Sequence, residues 1–244
     1  MSKLIVILLF LLFLKKGMIL YMIQLPQIKA TGTLSERTYD IIKSAIIGLY
    51  LEPGELITVG DISEQLGISR TPIRTALNRL IEEDLVEIIP GKGTFVTCLT
   101  EKQANAILDV RELFECYSIQ LATELRTDED LDNLEYMLKK QELASKGERK
   151  NQQDFLTNDL EFHSAIAKIS KNGYLEKQLL QMHVNSMRYL IASTVENIIS
   201  LALEEHRELY EQIKNRDSEK AKQCMQKHLW NIKERIIMCL NIND

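Results

Sequence analysis

The sequence predicts a mainly α-helical protein in two parts: an N-terminal winged helix-turn-helix and a C-terminal all-helical bundle of about six helices. Three observations predict it. All four prolines (26, 53, 72, 90) and eight of the ten glycines precede residue 100, so the remainder lacks the residues that break helices. Between Asp61 and Leu80, apolar residues recur three and four apart on either side of Gly67. Directly after them, two short β-prone runs flank Pro90-Gly91-Lys92-Gly93.

The elements follow in order. Residues 1–30 form an apolar extension: Leu4 to Leu14 is an unbroken run, Lys15-Lys16 follows, and a second run starts at Met18. Three readings stand: a native start at Met18 or Met22, an anchor or interfacial helix, and a cleaved signal. The first run is too short to span a bilayer, and no small-residue cleavage site follows it. Residues 31–100 are expected to form the winged-helix domain. A helix runs from Leu34 to about Tyr50 and stops at Pro53-Gly54. Ile62 and Leu66 share a face of the next helix, and Gly67 is placed to end it in a left-handed conformation. Ser69 is the expected N-cap of the following helix, and Pro72 sits in its first turn. Ile73, Ala76, Leu77 and Leu80 give that helix an apolar back, and Arg70, Thr71, Arg74, Asn78 and Arg79 fall elsewhere. Strands are expected at Val86–Ile89 and Thr94–Val96, with Lys92 and Gly93 at the hairpin tip. Residues 101–244 are expected as helices at about 101–125, 128–146, 151–170, 174–194, 197–215 and 218–240. Heptad spacing is not sustained, which favours a globular bundle over a coiled coil.

A helix with a packed back and arginines near its N-terminus suits the DNA major groove, and a glycine-rich wing tip can approach a phosphate backbone closely. An ordinary surface helical hairpin is the alternative reading of that stretch alone. The run AIIGLYLEPGELIT followed by DISEQLGISRTPIRTALNRLIEEDLVEIIPGKGTFV resembles the winged helix of GntR-type bacterial transcriptional regulators. The Gly-x-Ser-Arg-Thr-Pro-x-Arg core, Gly67 to Arg74, is highly specific to that family. The resemblance implies that Ser69, Arg70, Thr71, Arg74, Lys92 and Gly93 form the DNA-contacting set. Gly60 stands where many relatives carry a basic or polar DNA contact, so one contact of the family pattern is missing.

Charge argues the other way. The chain carries a net charge of −5. Residues 33–99 hold six Lys/Arg against ten Asp/Glu, so DNA binding must rest on local placement rather than bulk charge. Cys98, Cys116, Cys224 and Cys239 show no paired spacing, as expected of reduced thiols in a cytoplasmic protein.

In the helical part, Asp159 and His163 lie at i, i+4 on one helical face, which is half a metal site. His206 and His228, on the last two helices, can supply the other half. Three imidazoles and a carboxylate suit zinc, nickel or manganese. Scattered helical histidines are more often surface or core residues, and that alternative stays open on chemistry alone. This half resembles the FCD effector domain of the FadR-like branch of the same family, on Asp159-x3-His163, Glu205-His206-Arg207, Asp217 to Ala221, and His228. The resemblance implies that Asp159, His163, His206 and His228 bind one ion. Arg111 matches a recurrent arginine of such domains and is a candidate counter-charge for an anionic ligand, its alternative being a salt bridge to Glu115. Arg188 has a similar, weaker case. His183 is expected at the surface or in packing, Phe162 and Trp230 in the core, and Glu82-Glu83-Asp84 as a solvated helix end.

The function expected is a cytoplasmic homodimeric repressor on a pseudo-palindromic operator, controlled by a small carboxylate at the metal site. A membrane-tethered regulator of the same type and a metal-dependent hydrolase with an accessory DNA module are the alternatives. The second lacks an HExxH pair, an evident general base or a Ser/His/Asp arrangement.

Overall fold

The structure is a computed structural model that describes residues 32–146, 151–193 and 196–243. The apolar extension, and every reading of it, lies outside the described residues. Cα packing divides the chain into two units. One runs to Ser44 and takes in Ile57–Val86; the other takes in Ala45–Leu56 and the chain from Glu87 onward.

The first unit holds most of α1 (Leu34–Ile47), and all of α2 (Val59–Leu66) and α3 (Arg70–Glu82). Thr33 and Glu36 cap α1 reciprocally: the Glu36 amide donates to Thr33 Oγ1 at 3.2 Å, and the Thr33 amide donates to Glu36 Oε2 at 2.6 Å. Thr58 caps α2 by accepting from the Asp61 amide at 3.0 Å. Helix α2 ends at Gly67, whose φ of 64° is left-handed; a Cβ there meets no atom, so backbone conformation rather than space requires the glycine. Ser69 occupies the N-cap position of α3, but its side chain makes no capping hydrogen bond. The expectation that its hydroxyl caps the helix is corrected to that extent. Pro72, Ile73, Ala76, Leu77 and Leu80 are buried, as the apolar spacing requires. Each fully buried aliphatic side chain stabilises the fold by about 1.5–3 kcal/mol.

The acidic run after α3 is not simply solvated. Glu83 accepts from Tyr39 Oη at 2.6 Å and from Lys43 Nζ at 2.5 Å, joining the end of α3 to α1. The Arg79 guanidinium lies over the Tyr39 ring, 3.7 Å from its centroid. Burial works against ionisation of Glu83, but the hydrogen bonds from Lys43 and Tyr39 hold its carboxyl below the ordinary value.

The strands β1 (Leu56–Ile57), β2 (Val86–Ile89) and β3 (Gly93–Val96) form a sheet in the order β1-β3-β2. At two residues, β1 is too short to carry an alternation pattern, and the sequence reading missed it. Gly93 has φ 131°, and a Cβ on it would lie 2.9 Å from Leu56 Cδ1, so both backbone and space exclude a side chain.

The rest of the second unit is a bundle: α4 (Glu101–Leu125), α5 (Asp128–Ser145), α6 (Asn151–Ile169), α7 (Gly173–Ser193), α8 (Glu196–Lys214) and α9 (Ser218–Asn243). Thr100 caps α4, and Thr127 with Asp130 forms a capping box on α5. Asp217 accepts the Lys220 amide at 3.1 Å and so starts α9. Phe155, Phe162, Ile166, Leu209, Met225 and Leu229 are among the side chains of one continuous core. Trp230, expected in that core, is 59% exposed; its position next to Leu229 turns it outward. Among the described residues no helix is long and apolar enough to cross a membrane. Cys98, Cys116 and Cys224 form no disulfide, and burial pushes the Cys116 thiol up to about 12.

Candidate metal centre and nucleic-acid interface

The DNA-contacting set predicted from sequence is exposed. Ser69, Arg70, Thr71 and Arg74 lie on the open side of the first turns of α3, and Lys92 and Gly93 on the hairpin. Among the described residues, Arg70, Arg74 and Lys92 take part in none of the ion pairs. Arg79, by contrast, is engaged by Tyr39 and Glu83. No acidic residue lies in the first turn of α3. The helix therefore presents unneutralised guanidinium groups beside its N-terminal N–H groups, an arrangement suited to phosphate and base edges.

The second site is buried. Asp159 and His163 come from α6, His206 from α8 and His228 from α9. Ligand atoms of His163, His206 and His228 lie within 4.8 Å of one another. All three imidazoles are at most 2% exposed. Asp159 stands beside this trio, its Oδ1 3.3 Å from His206 Nε2 in a geometry that makes no hydrogen bond.

What holds the rings decides their chemistry. The Nδ1 of His163 lies 2.5 Å from Glu115 Oε2, that of His206 2.7 Å from Gln141 Oε1, and that of His228 2.6 Å from Glu205 Oε2. Each oxygen can only accept, so each Nδ1–H donates and each Nε2 is left with its lone pair. Those three Nε2 atoms are buried and have no hydrogen-bond partner among the described residues. Buried polar atoms are seldom left unsatisfied. Three of them converging, each fixed by an outer acceptor, fit a cation with imidazole preference. The Phe162 ring stacks on His206 at 5.0 Å between centroids and walls the site with apolar surface. Burial pushes the imidazoles of His206 and His228 well below their ordinary value, which keeps them neutral and able to ligate. Burial acts on His163 in the same direction, but the charge and hydrogen bond of Glu115 outweigh it and raise that imidazole.

Glu115 is the hub of this network. Besides His163 it accepts from His183 Nε2 at 2.9 Å and from Arg111 at 2.8 Å and 3.0 Å. Burial opposes its charge, yet His163, Arg111 and His183 together hold its carboxyl well below the usual range. His183 is buried in this network rather than at the surface, and burial brings it down to about 4. Arg111 forms the Glu115 salt bridge and also donates to Ser186 Oγ at 2.9 Å. Arg188 points elsewhere: it donates to Thr97 Oγ1 at 2.9 Å and to the Thr97 carbonyl. It thereby ties α7 to the residue that follows β3.

The sequence reading missed the roles of Gln141 and Glu205. Gln141 carries no motif. Glu205 was legible only as the neighbour of His206. A hollow of about 480 Å³ elsewhere on α5 and α6 holds Lys140, but that ammonium is already paired with Glu161.

The chain is similar to known proteins along most of its length. Residues 34–96 match the bacterial regulatory proteins of the gntR family, and residues 106–231 match the FCD domain. The chain is 26% identical over 212 residues to the HTH-type transcriptional repressor RspR of Escherichia coli, covering 86% of this chain and 92% of that one. It is 30% identical over 239 residues to the Uxu operon regulator of Haemophilus influenzae, covering 88% of each. The solved structure of E. coli McbR/YncC superposes with a TM-score of 0.71 at 23% identity, over 88% of this chain and all of that one, which shows a shared fold.

Proposed function

Because the chain belongs to the gntR family of bacterial regulatory proteins and carries an FCD domain, we propose that this DNA-binding transcriptional regulator is a metal-dependent, ligand-responsive repressor. It is a regulator and not an enzyme, as its relatives are. Winged-helix residues 31–100 read the operator and residues 101–244 sense the effector. The protein works in the cytoplasm as a homodimer on a pseudo-palindromic site, since one recognition helix reads too few base pairs for useful specificity.

One observation carries the metal reading: three buried Nε2 atoms without partners, each on a ring held through Nδ1. Asp159, His163, His206 and His228 would hold a divalent ion, with zinc, nickel and manganese all compatible. Bound there, the ion supplies a Lewis-acidic position for the carboxylate of an effector. The protein's own groups do the rest. Glu115, Gln141 and Glu205 orient the rings. Phe162 excludes water from one side. Arg111, locked to Glu115 and Ser186, links the His163 network to α7, and Arg188 on α7 grips Thr97. A change at the centre is therefore passed along α7 to the chain leaving the wing.

The test is selection of bound DNA from a random pool, followed by anisotropy titrations of metal-loaded and metal-stripped protein with small carboxylates. The reading expects an enriched inverted repeat whose affinity falls when carboxylate is added to the loaded protein only. An unchanged affinity in both states contradicts it.

A further inference from the structure

The buried side chains of α3 are Pro72, Ile73, Ala76, Leu77 and Leu80. At about 100° per residue, their common direction lies almost opposite Thr71 and Asn78, which stand about 20° apart around the axis. Both are exposed. The outermost line of the helix therefore runs from Thr71 to Asn78, with Arg74 on one flank and Thr75 on the other, both also exposed.

The exposed side chains are not equally available. Arg79 is turned back over the Tyr39 ring, 3.7 Å from its centroid, with Nε 3.6 Å from Glu83. The Thr75 hydroxyl donates to the Thr71 carbonyl at 3.2 Å, so its proton is spent within the helix. Asn78 is the only side-chain amide on α3, and it enters none of the hydrogen bonds among the described residues. Its two N–H donors and its carbonyl acceptor are all uncommitted. One turn further on, Glu82 is exposed on nearly the same line. A carboxylate there repels phosphate, so the face of α3 that can lie against DNA ends at Asn78.

A primary amide donates and accepts side by side. In the major groove adenine alone matches it, with N7 as acceptor and N6 as donor; guanine offers two acceptors there and takes arginine. Along the axis Asn78 stands about 6 Å beyond Arg74. Successive bases are about 3.4 Å apart, so that interval is about two base pairs. We infer that Asn78 is a specificity-determining residue of this regulator: its amide reads an adenine about two base pairs from the base that Arg74 contacts. This rests on α3 being the helix that reads the operator.

The experiment is selection of bound DNA from a random pool by full-length wild type, Arg74→Ala and Asn78→Ala, followed by anisotropy titration of operators substituted one base pair at a time. The position that loses its preference in Arg74→Ala marks the Arg74 contact. The wild type should prefer adenine about two base pairs from it, by about ten- to hundredfold over the other bases. Asn78→Ala should bring that preference to within about twofold and leave the other positions as they are. Replacing that adenine by 7-deazaadenine, which lacks the N7 acceptor, should weaken the wild type and leave Asn78→Ala unchanged, a difference that a merely structural role of Asn78 would not produce. An adenine preference kept by Asn78→Ala overturns the inference, as does a half-site without that adenine or a loss spread evenly over all positions. So does an equal response of both proteins to 7-deazaadenine. In each of these cases α3 still stands as the reading helix. A wild type that enriches no sequence overturns the operator reading and the inference together.

Discussion

Replacing Gln141 by Leu removes one hydrogen-bond acceptor from a site that Gln141 does not itself ligate. The side chain is fully buried on α5, and Leu nearly preserves its volume. Two bonds are lost: His206 Nδ1 to Gln141 Oε1 at 2.7 Å, and Gln141 Nε2 to the Asn158 carbonyl at 3.2 Å. The first matters for the metal. Without an acceptor the His206 Nδ1–H is buried unsatisfied, at a cost of about 1–3 kcal/mol. The ring can relieve that cost by moving its proton to Nε2, where Asp159 Oδ1 waits 3.3 Å away, and a protonated Nε2 cannot ligate. Restoring the ligating tautomer then draws on metal-binding energy. At about 1.4 kcal/mol per factor of ten, zinc affinity should fall about ten- to hundredfold. Competition with a chromogenic chelator measures the affinity, and circular dichroism checks that the bundle is intact. A folded Gln141→Leu protein binding zinc within about twofold of wild type would refute the claim that Nδ1 acceptors fix these rings.

On DNA, Arg70→Ala or Arg74→Ala should cost about 1–3 kcal/mol for the selected operator, measured by gel shift, whereas wild-type affinity would remove α3 as the reading helix. Lys92→Ala should weaken binding evenly across sequences and reduce the salt slope by about one, and a sequence-dependent effect would argue against a phosphate contact. Glu83→Ala should lose about 1.5–3 kcal/mol of stability at neutral pH through its bonds to Tyr39 and Lys43. Because its carboxyl is held below the ordinary 4.5 in the folded state, that contribution is full above the unfolded value and fades as pH falls through the folded one. Denaturant melts at neutral and acid pH should show the gap between wild type and variant closing, and a gap that widens toward acid contradicts the assignment.

The bundle's helices were legible because proline is absent after residue 90 and the apolar spacing is regular. Their ends shifted by at most a few residues, as at α9, which runs on to Asn243. The two-residue β1 was not legible, since its pairing with β3 depends on long-range geometry rather than on any local pattern. At the site, Asp159 and His163 announce themselves by their i, i+4 spacing; His206 and His228 were candidates from their place on the last two helices, and the resemblance joined all four into one set. Their supports did not. Gln141 is an ordinary helical residue until the fold brings its amide to His206. Glu83 looks like one of three solvated acids until Tyr39 and Lys43 arrive from α1. Trp230 misled for the opposite reason: a large aromatic beside a buried stripe is assigned to the core by composition, but its angular position puts it in solvent.

Metal content tests the central claim most directly. Elemental analysis of the purified full-length protein, saturated with zinc and then desalted, should find about one ion per chain, and His206→Ala and His228→Ala should each retain well under half of it while still binding DNA. Equal zinc in the wild type and in both variants, or none in any, would contradict a metal centre built on these histidines.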